Sequence, residues 1–249
     1  MNVLIEADVD ALAHAAAAHA AAEIGESIAA RGVANVMFAS GNSQRAFLAV
    51  LLEPGAVDWT RVVGFHMDEY VGIPAAHPAS FARYMHEHIV RRAPVREFHC
   101  IDGAASDPTA ECERYAALLR THPLDLCCLG IGENGHLAFN DPPVADFEDP
   151  LDVKVVTLDE ACKAQQVGEG HFPDPAAVPP TAITVTIPAL LRARAVLAIV
   201  PEARKAEPVR AAFTGPVSTA CPASILQRTP HATVYLDPAS AAGLRSSSP

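Results

Sequence analysis

Residues 124–129, Leu-Asp-Leu-Cys-Cys-Leu, run straight into Gly130-Ile-Gly-Glu-Asn-Gly-His-Leu-Ala-Phe-Asn-Asp141. A short apolar run closed by glycines reads as a buried strand of a parallel sheet. Cys127 and Cys128 then point to opposite faces of that sheet. Gly130, Gly132 and Gly135 let the backbone turn sharply and present His136 where the strand ends. In open parallel α/β sheets, ligands bind at such ends. A second run, Val62-Val63-Gly64-Phe65, closes on His66-Met67-Asp68-Glu69-Tyr70. An imidazole at one strand end and a carboxylate at another read as an acid–base site, because perturbed titratable groups collect there.

Working outward, strands are expected at residues 3–5, 33–40, 62–67, 124–131, 151–157, 181–187, 195–200 and 233–236. Helices are expected at 9–30, 43–52, from Pro78 towards Arg92, and from 106 to about 120. Further helices are expected at 159–166, from Pro188, at 202–213 and at 222–227. The first is Ala-rich with few breakers, and Pro94 and Pro108 supply stop and start signals. Alternation of this kind predicts an α/β fold, a doubly wound, mostly parallel, Rossmann-like sheet flanked by helices. One domain over 1–245 is expected, with a loop or lid insertion at 141–180, where prolines and glycines concentrate. Residues 246–249 are expected to fray.

A chain of 249 residues, half of them hydrophobic and 19% charged, can bury a large core. Its net charge of −11 argues against sequence-independent nucleic-acid binding. Local cations can still hold an anionic small molecule. The six cysteines contain no C-x-x-C pair, so reduced thiols and a cytoplasmic location are expected. No uncharged apolar run reaches membrane length.

The turn Ser40-Gly41-Asn42-Ser43-Gln44 lies between a strand and a helix. It reads either as a phosphate cradle built from N–H groups and hydroxyls or as an ordinary turn with Ser43 as a cap. Lys205 falls in the first turn of a helix after another strand, where solvated lysine is the competing reading. His86 and His88 invite a zinc site, but residues two apart on a helix do not face each other. No metal and no cofactor are expected.

The segment Phe65-His66-Met67-Asp68-Glu69-Tyr70-Val71-Gly72, followed by His77-Pro78-Ala79-Ser80, resembles one signature of glucosamine-6-phosphate deaminases, also called isomerases. Residues 130–140 resemble their second signature, and the likeness runs in order along nearly the whole chain. The resemblance implies ring opening of an amino-sugar phosphate, proton transfer between C2 and C1, and loss of ammonia to give a ketose phosphate. It implies Asp68 as the proton-moving carboxylate and His136 as the ring-opening histidine, flanked by residues 134 and 141. It places Ser40, Gly41, Asn42, Ser43, Gly135, His171 and Lys205 about the sugar phosphate. The implied partner is a small phosphorylated amino sugar, and a homo-oligomer is an open expectation.

This sequence departs from the family pattern in four places. Asn134 stands where the family has aspartate, and Asp141 where it has glutamate. The usual Thr-Pro of the phosphate turn is Ser43-Gln44, and the family's later phosphate-holding arginine is replaced near His171. An amide at 134 cannot stabilise an imidazolium as a carboxylate does. One rival is a lactonase of the same superfamily, with His136 as base for water. Such enzymes usually carry Asp-Glu-Arg where this chain has Asp68-Glu69-Tyr70. Another rival is a sugar-phosphate-sensing module. Its repressor form is expected behind a helix-turn-helix, whereas this chain opens almost directly with a strand.

Overall fold

The computed structural model describes residues 1–247. In chain order the strands and α-helices are β1 (Asn2–Ile5), α1 (Val9–Arg31), β2 (Ala34–Phe38), α2 (Arg45–Leu51), β3 (Val62–His66), β4 (Asp68–Tyr70), α3 (Phe81–Met85), β5 (Glu97–His99), α4 (Pro108–Thr121), β6 (Leu126–Leu129), β7 (Val153–Thr157), α5 (Glu160–Gly168), β8 (Thr181–Val185), α6 (Ile187–Leu191), β9 (Ala195–Val200), α7 (Ala206–Thr214) and β10 (Ala232–Leu236).

Seven strands form one sheet in the order β1-β10-β9-β6-β2-β3-β5, and every neighbouring pair is parallel. From β2 the chain steps outward through β3 and β5, whereas from β6 it steps the other way through β9 and β10. The order therefore reverses between β2 and β6. A crevice opens at the carboxyl ends of strands where such a reversal occurs. The turns leaving the two strands meet there: a Cβ placed on Gly130 would lie 3.6 Å from the Ser43 hydroxyl.

The sheet divides the core. Cys127 faces a cluster with Met37, Phe65 and Tyr115, and Cys128 faces one with Leu12, Phe38 and Phe47. The second cluster is covered by α1, which is capped at both ends. Asp8 accepts from the Ala11 N–H at 2.8 Å, and Gly32, at φ 80°, donates to the Ile28 carbonyl.

The structure adds a second sheet, antiparallel, in the order β4-β8-β7. The expected strand 62–67 stops at His66; only Met67 separates it from β4, so one continuous segment serves both sheets. The short edge strand β5 is also additional. The helix expected to run from Pro78 towards Arg92 is a five-residue α3 that loosens into a π turn at His86–Val90. The expected insertion at 141–180 holds β7 and α5, with Asp159 capping α5. A final 3₁₀ turn covers Ala242–Ser247, so the expected tail begins inside it; residues 248 and 249 lie outside the described residues.

Candidate active site

A pocket occupies the crevice. Ser40, Gly41 and Ser43 line it after β2, Asp68 after β3, Gly130, Gly132 and His136 after β6, and Lys205 after β9. Gln165, Gln166 and Glu169 enter from α5 and the residue beyond its end, and Phe81 and Phe139 form an apolar wall. The structure thus brings together six of the residues singled out in the sequence.

Asp68 and Glu69 have opposite fates because successive residues of a strand point to opposite faces. The Glu69 oxygens accept from the Tyr70, Phe81 and Ala82 N–H groups and from the Ser80 hydroxyl, so this carboxylate anchors the start of α3. Asp68 faces the pocket and is 7% exposed. Burial, then the charges of Glu69 and Asp141, push its carboxyl well above the usual aspartate range. Tyr70, on the Asp68 face of β4, packs on Phe81, Phe139 and Phe172 and donates to Gln166 at 2.6 Å.

His136 rests on Gly132 so closely that a Cβ there would fall 2.2 Å from the ring. Its Nδ1 lies 2.9 Å from Asp141 Oδ1, off the line of a straight hydrogen bond. Asp141 is fully buried. Burial raises its carboxyl, but the adjacent His136 and hydrogen bonds from Asn134 and the Cys162 thiol outweigh that and hold it below the usual range. Asn140 fixes the loop by donating to the Leu137 and Val185 carbonyls.

Asn134 does not touch the imidazole through its side chain. Its Oδ1 accepts from the His136 backbone N–H at 3.0 Å, and its Nδ2 donates to Asp141 Oδ1 at 2.8 Å. Asp141, although shorter than the family's glutamate, comes within 2.9 Å of Nδ1 without help from Asn134. His136, Asp141 and Cys162 each place one ligand atom within 4.8 Å of the others, the one set among the described residues that could hold a metal ion. These groups run from the pocket into the core.

At the other end of the pocket Lys205 is 3% exposed, and among the described residues no ion pair or hydrogen bond engages its ammonium. A buried, unpaired cation calls for an anion. Gln44 pins the neighbouring turn by donating to the Ile199 carbonyl at 3.2 Å.

Asn42, Gly135 and His171 are not on the pocket wall. Asn42 is exposed. Gly135, at φ 84°, backs onto Cys221, whose sulfur would lie 2.7 Å from an added Cβ. His171 turns to Glu169, with 3.5 Å between Nε2 and Oε2. Glu169 and Gln165 were not singled out in the sequence, where 159–166 reads as a short helix and Gly168-Glu169-Gly170 as the start of a loop.

A family model of glucosamine-6-phosphate isomerases and 6-phosphogluconolactonases matches residues 7–235. The glucosamine-6-phosphate deaminase of Exiguobacterium sibiricum is 37% identical over 181 residues, which is 73% of this chain and 70% of that one. The corresponding protein of Bacillus thuringiensis strain Al Hakam is 36% identical over 199 residues, covering 80% and 74%. Among solved structures, a monomeric glucosamine-6-phosphate deaminase superposes with a TM-score of 0.88 at 28% identity, covering 98% of this chain and all of that one. A 6-phosphogluconolactonase from Shewanella baltica superposes with 0.78 at 20% identity, a likeness of fold alone.

Proposed function

The chain belongs to the glucosamine-6-phosphate isomerase and 6-phosphogluconolactonase family, and within it we propose that this protein converts glucosamine 6-phosphate and water to fructose 6-phosphate and ammonia. The observation that carries this reading is the placement of three chemistries around one pocket. A buried carboxylate and an imidazole share it with an unpaired ammonium beside a Ser-Gly turn.

The phosphate is held by Lys205 and by Ser40, Gly41 and Ser43. His136 moves a proton between the ring oxygen and the anomeric hydroxyl, opening the pyranose. Imidazole suits this step because it both gives and takes a proton near neutral pH. Asp141 stabilises the imidazolium formed on the way. Asp68 then takes the C2 proton and returns it to C1. Water adds to the resulting C2 imine, and the nitrogen departs as ammonia. A desolvated carboxylate of raised pKa is a stronger base than an exposed one, which suits removal of a carbon-bound proton. The acidic surroundings of Asp68 and Asp141 also favour the ammonium of the incoming amino sugar.

The test supplies glucosamine 6-phosphate deuterated at C2 and follows ammonia, fructose 6-phosphate and the deuterium carried to C1. All three products are expected. Hydrolysis of a phosphorylated gluconolactone without ammonia release from the amino sugar would overturn the reading in favour of the lactonase. Six free cysteines, four of them buried, fit the cytoplasmic location we assign. In the described residues no helix is long and apolar enough to cross a membrane.

Asn134→Asp restores the family's residue, yet this geometry predicts a loss. It would set a second carboxylate where a donor now lies 2.8 Å from Asp141. Like charges that close cannot both ionise freely. The expected result is a severalfold lower kcat at neutral pH, with the activity profile displaced to higher pH. A faster enzyme would show that Asn134 limits the chemistry.

A further inference from the structure

The phosphate end of the pocket is not a simple basic cradle. Glu169, just beyond α5, brings a carboxylate whose side chain is only 7% exposed. It is held by Gln165 Nε2 at 3.0 Å, Arg204 Nη1 at 3.3 Å and His171 Nε2 at 3.5 Å. Its Oε2 lies against the Ser-Gly turn, 3.6 Å from where a Cβ on Gly41 would stand. Arg204 is drawn away by Glu202 at 2.8 Å and Glu133 at 3.5 Å, so it offers little free positive charge. That leaves the Lys205 ammonium as the uncommitted cation.

We propose that Glu169 is a specificity-determining residue of this subsite, occupying in the unliganded protein part of the space and counter-charge that the substrate's phosphate requires. The inference rests on the phosphate-binding reading above and goes further: the phosphate binds against a fixed carboxylate. Burial works against the Glu169 charge, but hydrogen bonds from His171 and Gln165, then the Arg204 and Lys205 charges, outweigh it and hold the carboxyl down to about 2. Glu169 therefore meets an incoming phosphate as a carboxylate at neutral pH. An incoming phosphate must bind at Lys205 beside this fixed negative charge, while Arg204 stays paired with Glu169, Glu202 and Glu133. Phosphate affinity is thus set by how much of the Lys205 field the Glu169 carboxylate already offsets. A ligand that is small or weakly charged at this end does not meet that repulsion.

Inorganic phosphate titrated by calorimetry tests this without any turnover. Glu169→Gln keeps the size and the bond to Arg204's side of the pocket but removes the charge. It is expected to bind phosphate at least about tenfold tighter, a change of about 1.4 kcal/mol. The KM for glucosamine 6-phosphate should fall with it, the gain appearing in KM rather than kcat. Glu169→Asp keeps the charge on a shorter arm, withdrawn from Gly41, and is expected to tighten phosphate by a smaller factor. It also guards against a folding defect in the amide variant. Adding Lys205→Met to Glu169→Gln should remove the gain. Unchanged or weaker phosphate binding in both single variants, with ammonia release from the wild type intact, would overturn this inference alone. Failure of every variant, wild type included, to bind phosphate would overturn the phosphate-sugar reading with it.

Discussion

Asp68→Asn is expected to lower kcat by about 10²- to 10⁴-fold, the usual worth of a positioned acid–base group, while leaving the KM for the amino-sugar phosphate nearly unchanged. The amide has the size and polarity of the carboxyl but cannot accept the C2 proton. Binding is carried at the other end of the pocket by Lys205 and the Ser40–Ser43 turn, so affinity should survive. The same change should raise the melting temperature. A carboxyl whose folded pKa lies above its unfolded value costs stability. The cost is absent below the unfolded pKa, grows as pH rises towards the folded value, and is complete above it. Asp68 is such a group, raised first by burial and then by Glu69 and Asp141. Neutralising it removes that cost at neutral pH but gives no benefit in strong acid. Ammonia release and thermal melts at two pH values check both halves. Full activity in the amide variant would sink the proton path, and a fall in melting temperature at neutral pH would contradict the buried-charge account.

Much of this arrangement could be read from the chain because strands buried on both faces are continuous apolar runs. Leu124–Leu129 and Ala195–Val200 gave no competing reading, and their polar successors marked the crevice. The second sheet was hidden for a physical reason. Asp68-Glu69-Tyr70 has no alternation of apolar and polar residues, since Glu69 is buried by saturating the start of α3 rather than exposed. Strand β5 is three residues at a sheet edge, too short to show a period.

The site divides along the same line. Asp68 and His136 follow strands directly, so sequence order alone puts them at the crevice. Lys205 follows β9 in the same way, although only the fold shows that its ammonium is buried and unpaired. Glu169 carries no such signal, because its place against Gly41 depends on how α5 docks. Gly135 and His171 lay next to informative residues and yet face elsewhere, one towards Cys221 and the other towards Glu169. Neighbourhood in sequence locates a loop; which side chains enter the pocket is settled by turns such as Gly135 at φ 84° and Ala138 at φ 50°.

Asp141→Asn is expected to be almost as damaging, and to leave a distinctive trace in the pH profile. Asp141 Oδ1 stands 2.9 Å from His136 Nδ1 and also accepts from Asn134 at 2.8 Å. The substituted amide can satisfy Asn134 only by turning its oxygen that way. It then offers no negative charge to an imidazolium. Turned the other way, its NH₂ group faces Nδ1 and favours the tautomer with the proton on Nε2. Comparable loss of a histidine's carboxylate partner costs about 10⁴-fold in a serine-protease triad, and about 10²- to 10⁴-fold in kcat is expected here. The removed charge is also one of those that raise the Asp68 carboxyl. Asp68 should therefore ionise at lower pH in the variant. The acid limb of kcat/KM should move towards acid even as the plateau falls. A fall in rate with an unmoved acid limb would mean that a group other than Asp68 sets that limb. A full rate would mean that His136 works without its partner, and Asp141 would have no part in ring opening.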